Sequence, residues 1–237
     1  MNTENTNTNS ASVDTPAENT HLLDAFEVRV LAVLAEKEAT TPDNYPMSLN
    51  ALVNGCNQLS NRDPVMSLSE NTALEVLDRL AQKKLVGIIN QAGARVAKYE
   101  HRMRIKWMLE QDKLAVLTTL MLRGFQTVGE IRSRCARLHE FTSVAEVETS
   151  LAFLMDKYPS FVARLARAPG TKEPRYAHLL SGEEILEQQE VAAAFSAKVS
   201  GSSERDRITQ LEQEVAGLRE ELSVLTQQFT QFQKQFE

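Results

Sequence analysis

Two stretches of this chain repeat one another in order and in residue type, and that duplication restricts the fold more than any other feature of the sequence. Leu31-Ala32-Val33-Leu34 recurs as Leu114-Ala115-Val116-Leu117. Ser48-Leu49-Asn50-Ala51-Leu52 aligns with Thr127-Val128-Gly129-Glu130-Ile131, which carries Cys56 onto Cys135 and Leu59 onto Leu138 without a gap. Leu77 and Leu80 then match Leu151 and Leu154, and Lys98-Tyr99-Glu100-His101 matches Arg175-Tyr176-Ala177-His178. The offset between partners shrinks along the chain, so the first copy has the longer loops. Length differences fall between elements, where duplicated domains tolerate them.

The first copy shows what is repeated. Asp24 is placed to cap a helix whose apolar positions Phe26, Val30, Leu31, Val33 and Leu34 recur at helical spacing to about Glu38. Thr40 to Pro46, with two prolines, breaks it. Ser48 caps a second apolar stretch of Leu49, Leu52, Val53, Cys56 and Leu59; a third helix starts near Ser69, with Ala73, Leu74, Leu77 and Leu80 as its core stripe. Leu85 to Asn90 reads as a strand, Ala92-Gly93 as a turn and Arg95 to His101 as the returning strand. Pro169-Gly170 turns the second hairpin. Helix, helix, helix, hairpin is the winged-helix arrangement, so the prediction is a mainly α fold with small β-hairpins (α+β). It has tandem winged-helix domains at residues 22–104 and 105–180.

The flanks differ in kind. Residues 1–21 hold almost no apolar side chains and are predicted to be a disordered arm without the basic start or apolar core of a secretory signal. Residues 181–203 read as a charged helix and hinge. From residue 204 to 237 a heptad repeat sets Ile208, Val215, Leu222, Phe229 and Phe236 at a, and Leu211, Leu218, Leu225 and Phe232 at d. Such a seam needs a partner. In a parallel homodimer Arg207 faces Glu212 of the second copy and Glu214 faces Arg219, both attractive; the alternative is a helix folded back on its own domains.

No run approaches the roughly 20 apolar residues of a membrane span, so the expectation is a cytoplasmic protein with no membrane partner. The net charge of −6 argues against a polyanionic partner until its distribution is read. The arm carries −3, the first copy is neutral, the second copy is +3, and residues 181–237 carry −6. Cys56 and Cys135 have no metal-ligand spacing and fall on apolar helix faces, which fits small buried hydrophobes. His21, His101, His139 and His178 form no cluster, and there is no phosphate loop, nucleophile elbow or carboxylate pair. The expectation is a protein that is not an enzyme and takes neither metal nor cofactor.

The run Glu36-Lys37-Glu38-Ala39-Thr40-Thr41-Pro42-Asp43-Asn44-Tyr45-Pro46-Met47-Ser48-Leu49-Asn50-Ala51-Leu52 is followed by Cys56-Asn57-Gln58 and Ser60-Asn61-Arg62-Asp63-Pro64-Val65. Together with Glu173-Pro174-Arg175-Tyr176-Ala177-His178-Leu179-Leu180, it resembles the YceH-like family of uncharacterised bacterial proteins. The resemblance spans residues 22–180 and implies tandem winged-helix domains in a bacterial cytosol, with no activity attached. Leu59 departs from it, standing where the family run would carry a lysine, which removes a cation from that spot.

The outward faces of the third helices are predicted to carry Asn71, Glu75, Asp78 and Gln82 in copy one and Glu148, Thr149, Ala152 and Asp156 in copy two. Neither offers the arginine that commonly reads guanine, so major-groove readout is poorly supplied. Candidate nucleic-acid contacts lie elsewhere: Arg62 in the loop after the second helix, Arg95 and Lys98 on the first hairpin, Arg132, Arg134 and Arg137 on the second helix of copy two, and Lys172 and Arg175 on the second hairpin. One reading makes these a phosphate-contacting surface for double-stranded DNA in a regulator-like protein. The other makes the acidic third helices a docking surface for a protein partner in a larger assembly. Asn57 to Arg62 also read simply as turn builders.

Overall fold

The computed structural model describes residues 22–90, 96–167, 173–182 and 215. Asp24 caps α1 (Ala25–Thr40) through a reciprocal box: its Oδ1 accepts from the Glu27 amide at 2.8 Å, and Glu27 Oε2 accepts from the Asp24 amide at 2.9 Å. Then come β1 (Met47–Ser48), α2 (Leu49–Cys56) and α3 (Glu70–Gln82), followed by the hairpin β2 (Val86–Ile89) and β3 (Lys98–His101). Ser48 and Ser69 cap α2 and α3 as predicted. A short α4 (Met103–Trp107) leads into the second copy: α5 (Gln111–Arg123), α6 (Val128–Cys135), α7 (Val144–Met155), and the strands β4 (Val162–Arg164) and β5 (Tyr176–His178). Helices with small antiparallel sheets make the chain α+β.

The pairing registers support the alignment of the two copies. In copy one the sheet order is β1-β3-β2, with Met47 opposite Tyr99. In copy two Gln126 bridges to Tyr176, which is the same pair of positions. Thr127 caps α6 with its own box to Glu130, as Ser48 caps α2.

Both first helices are enclosed. Residues Val28 to Ala35 of α1 and Leu114 to Leu122 of α5 are buried on all sides, and α1 packs directly on α5. One apolar cluster accordingly runs through both copies, from Leu31, Leu52 and Leu77 to Leu117, Ile131 and Leu151. The described residues up to Leu165 and from Arg175 to Gly182 form a single compact unit holding both copies; Ala166, Arg167, Glu173, Pro174 and Val215 fall in a second unit. Arg29, which interrupts the apolar run of α1, is buried with it. Its Nη1 donates to the Cys56 carbonyl at 3.2 Å and Nη2 to the Pro64 carbonyl at 2.6 Å, while Nε has no hydrogen-bond partner among the described residues.

Three apolar assignments change, the first being Phe26, which sits at the start of α1 outside its buried set, 39% exposed. The inward face of α3 is Ala73, Val76, Leu77 and Leu80, the i, i+3, i+4, i+7 set, and Leu74 sits on its flank, 38% exposed. The second helix stops at Cys56, leaving Leu59 in the following loop, 83% exposed. Asn57 ends it by clamping the Leu68 backbone from both sides: Nδ2 donates to the Leu68 carbonyl at 2.8 Å and Oδ1 accepts from the Leu68 amide at 2.7 Å.

Candidate nucleic-acid interface

The eight cations predicted to meet nucleic acid separate once their surroundings are drawn. Arg62 is a correction: it is buried, not a surface contact. Its Nη2 meets Glu36 Oε2 at 2.6 Å and Gln58 Oε1 at 2.9 Å, its Nη1 reaches Glu36 Oε1 and the Asn61 carbonyl, and Nε donates to the Gly55 carbonyl at 3.2 Å. The side chain completes the C-terminal end of α2, where helix carbonyls lack intrahelical partners. Arg62 also holds the Glu36 carboxyl below its ordinary range, against the burial that opposes ionisation.

Lys98 is half-buried on β3, and Arg95 and Lys172 lie outside the described residues. Arg132 is exposed but spends its donors on the loop ahead of α7, Nε to the Phe141 carbonyl at 3.3 Å and Nη2 to the Thr142 carbonyl at 2.9 Å. Arg134 is half-buried and donates to Gln126 Oε1 and, at 3.5 Å, to Glu130 Oε1. Arg137 and Arg175 are exposed. Arg164, on β4, is also exposed and sits across the ladder from Tyr176, beside Arg175. Its signal was present in the sequence as a further cation on the hairpin that carries Lys172 and Arg175.

Arg134 and Arg175 converge on a polar cleft of about 360 Å3, together with Asn61, Arg62, Asp63, Arg123, Phe125, Gln126 and Glu130. The cleft joins the copies. The Asp63 amide donates to the Leu122 carbonyl at 2.8 Å, and Arg123 Nη2 donates to Asn61 Oδ1 at 2.7 Å, so the loop after α2 is tied to the end of α5. Gly124 turns the chain there with φ 66° and ψ −139°, a conformation that side chains with a Cβ rarely take. Burial, with Arg134 and Arg62 adding repulsion, lowers the Arg123 pKa from its usual value. With Arg62 neutralised by Glu36, three guanidiniums face the two carboxylates of Asp63 and Glu130 across this lining, so its charge favours an anion by one unit.

The outward faces of α3 and α7 are as predicted: Asn71, Glu75, Asp78 and Gln82, and Glu148, Thr149, Ala152 and Asp156, are all exposed. The thiols of Cys56 and Cys135 are buried and free, and burial pushes them up to about 12 and about 11, the behaviour of small hydrophobes. Among the described residues there is no cluster of His, Cys, Asp and Glu arranged for a metal, and no helix long and apolar enough to cross a membrane. Of the heptad positions only Val215 is described, helical and 46% exposed; Ile208, Leu211, Leu218, Leu222, Leu225, Phe229, Phe232 and Phe236 lie outside the described residues.

Residues 23–171 match the family described as "Protein of unknown function, DUF480". The chain is 60% identical over 237 residues to UPF0502 protein HEAR1280 of Herminiimonas arsenicoxydans, covering the whole of both chains. It is also 60% identical over 229 residues to a UPF0502 protein of Janthinobacterium sp. (strain Marseille), covering 97% of each. With UPF0502 protein azo0627 of Azoarcus sp. (strain BH72) the identity is 50% over 215 residues, 91% of this chain and 94% of that one. These matches agree with the resemblance carried by residues 22–180, and the chain belongs to the DUF480 family, whose bacterial members here bear the name UPF0502.

Proposed function

We propose that this is a non-catalytic, winged-helix DNA-binding protein that holds duplex phosphates through its second copy and not through its third helices. The observation that carries the reading is the exposure of Arg137, Arg164 and Arg175, all in the copy whose net charge is +3. Phosphate contacts supply position and most of the non-specific affinity, and they need no base-reading arginine on α3 or α7. The first copy lends little to this surface, because Arg62 is consumed internally. A fluorescence titration with mixed duplex DNA should show binding that weakens steeply with salt. In the Arg137→Ala/Arg164→Ala protein the salt slope should fall by about one for each cation removed. Absence of binding at ~50 mM salt would eliminate the reading, since phosphate contacts are strongest there.

The exposed acidic faces of α3 and α7 favour a second reading, a docking module for a basic protein partner. Co-purification of a stoichiometric protein that survives nuclease treatment selects it. In either case the heptad of residues 204–237 is proposed to pair two chains. Sedimentation should give twice the chain mass for the full-length protein and a single chain mass for one ending at Ser200; equal monomer masses would exclude the dimer.

A further inference from the structure

The four arginines of the cleft between the copies are not equivalent. Arg62 is neutralised by Glu36 and has its donors engaged, so it serves as wall. Arg123, Arg134 and Arg175 each have five N–H donors, and few are used. Arg123 spends Nη2 on Asn61 Oδ1. Arg134 spends Nη1 on Gln126 and holds Glu130 only at 3.5 Å. Arg175 reaches the Phe125 carbonyl at 3.5 Å. Glu130 is partly committed elsewhere, its Oε2 accepting from the Thr127 amide at 2.9 Å in the α6 capping box. Three guanidiniums, brought in by the end of α5, by α6 and by the residue ahead of β5, therefore line one concave space with donors to spare.

We propose that this cleft is a binding site for the phosphoryl group of a small phosphorylated molecule, held by Arg123, Arg134 and Arg175. A carboxylate has two oxygens and one charge, which two fork-shaped donors can satisfy; a phosphate monoester has three terminal oxygens and nearly two charges, which suits three. At about 360 Å3 the cleft lies at the small end of the range of roughly 300–1,000 Å3 for small-molecule sites, leaving room for an organic portion beside the phosphate. Asn61, Asp63, Gln126 and Phe125 line the remainder, so the three arginines face the carboxylates of Asp63 and Glu130 across the space, a balance of one positive charge. The site needs both copies, since Asn61 and Arg62 come from the first and the three phosphate-facing arginines from the second. This inference shares Arg175 with the DNA-binding reading, and Arg137 and Arg164, which lie outside the cleft lining, separate the two.

The test is calorimetric titration of the full chain with inorganic phosphate, pyrophosphate, adenosine monophosphate and, as a dicarboxylate control, succinate. The expected result is saturable binding of the phosphorylated probes and none of succinate. Removing one charge-assisted donor set should weaken binding roughly tenfold, so Arg123→Gln/Arg134→Gln should weaken it beyond reach of the titration. Arg175→Gln, whose side chain is exposed and loses only one long hydrogen bond, gives the same tenfold readout without risk to the fold. Arg137→Ala/Arg164→Ala should bind the probes as the parent does, whether or not DNA binding survives. Three results would overturn the proposal. They are no saturable phosphate, pyrophosphate or nucleotide binding by ~10 mM, undiminished binding in Arg175→Gln, and equal binding of succinate.

Discussion

His101 and His178 occupy equivalent ends of β3 and β5, yet the two rings live in different chemistry. His101 Nε2 pairs with Glu38 Oε2 at 3.1 Å, and its Nδ1 accepts from the Met103 amide at 3.3 Å. Glu38 is drawn down to about 2, first by its bond to His101 and also by Arg104. In the second copy Met121 stands at the position equivalent to Glu38, and His178 is buried with no hydrogen-bond partner for Nδ1 among the described residues. Burial lowers its pKa to about 4. The unfolded chain takes up this proton at the ordinary value near 6.5, the folded one only near 4. Stability is therefore complete above pH 6.5 and is lost as pH falls from there toward 4, by about 3 kcal/mol in all. Urea midpoints of the parent and His178→Phe, measured across that window, should diverge, with the parent falling more steeply. The Glu38 contribution lies lower, between pH 4.5 and 2, so the two can be separated. Arg62→Ala should cost about 3–5 kcal/mol of stability by stranding Glu36 and the Gly55 carbonyl, and should leave the salt slope of DNA binding unchanged.

At the scale of the element, what could be read from the sequence was what is local. Caps at Asp24, Ser48, Ser69 and Thr127 follow from residue type and spacing, and so do the alternating residues of β3. The rotation of α3 was less accessible, because Leu74 and Val76 are both apolar and only the packed neighbours choose between them. Leu77→Ala, at a fully buried position, should cost roughly 2–5 kcal/mol, whereas Leu74→Ala should cost below about 1 kcal/mol. Thermal melts of the two variants check the rotation. The arginines were visible as a charge, but their roles were not. Arg62 and Arg137 look alike in sequence, and Glu36 separates them from 26 residues away. Arg123 carries no local signal, because its cleft partners Asn61 and Arg175 are distant along the chain and Asn61 reaches it only when the two copies pack together.

For the molecule as a whole, the duplication holds two different accounts. The interior was copied: the same positions carry the paired tyrosines, the capped second helices and the buried first helices. The surfaces diverged, leaving the first copy neutral and the second basic. The midpoint of the repeat is consequently not a place where the protein divides. Residues 22–104 made alone would expose the face of α1 that α5 covers, and residues 105–180 the face of α5 that α1 covers. Each should aggregate or stay largely unfolded, by circular dichroism and light scattering, while the two mixed during refolding should recover one cooperative transition. Two well-folded, non-associating halves would refute the shared core. The contact of α1 with α5 is then an intramolecular interface between two former equals, and a chain cut at its centre would behave as a heterodimer whose subunits recognise each other through Leu31–Leu34 and Leu114–Leu117.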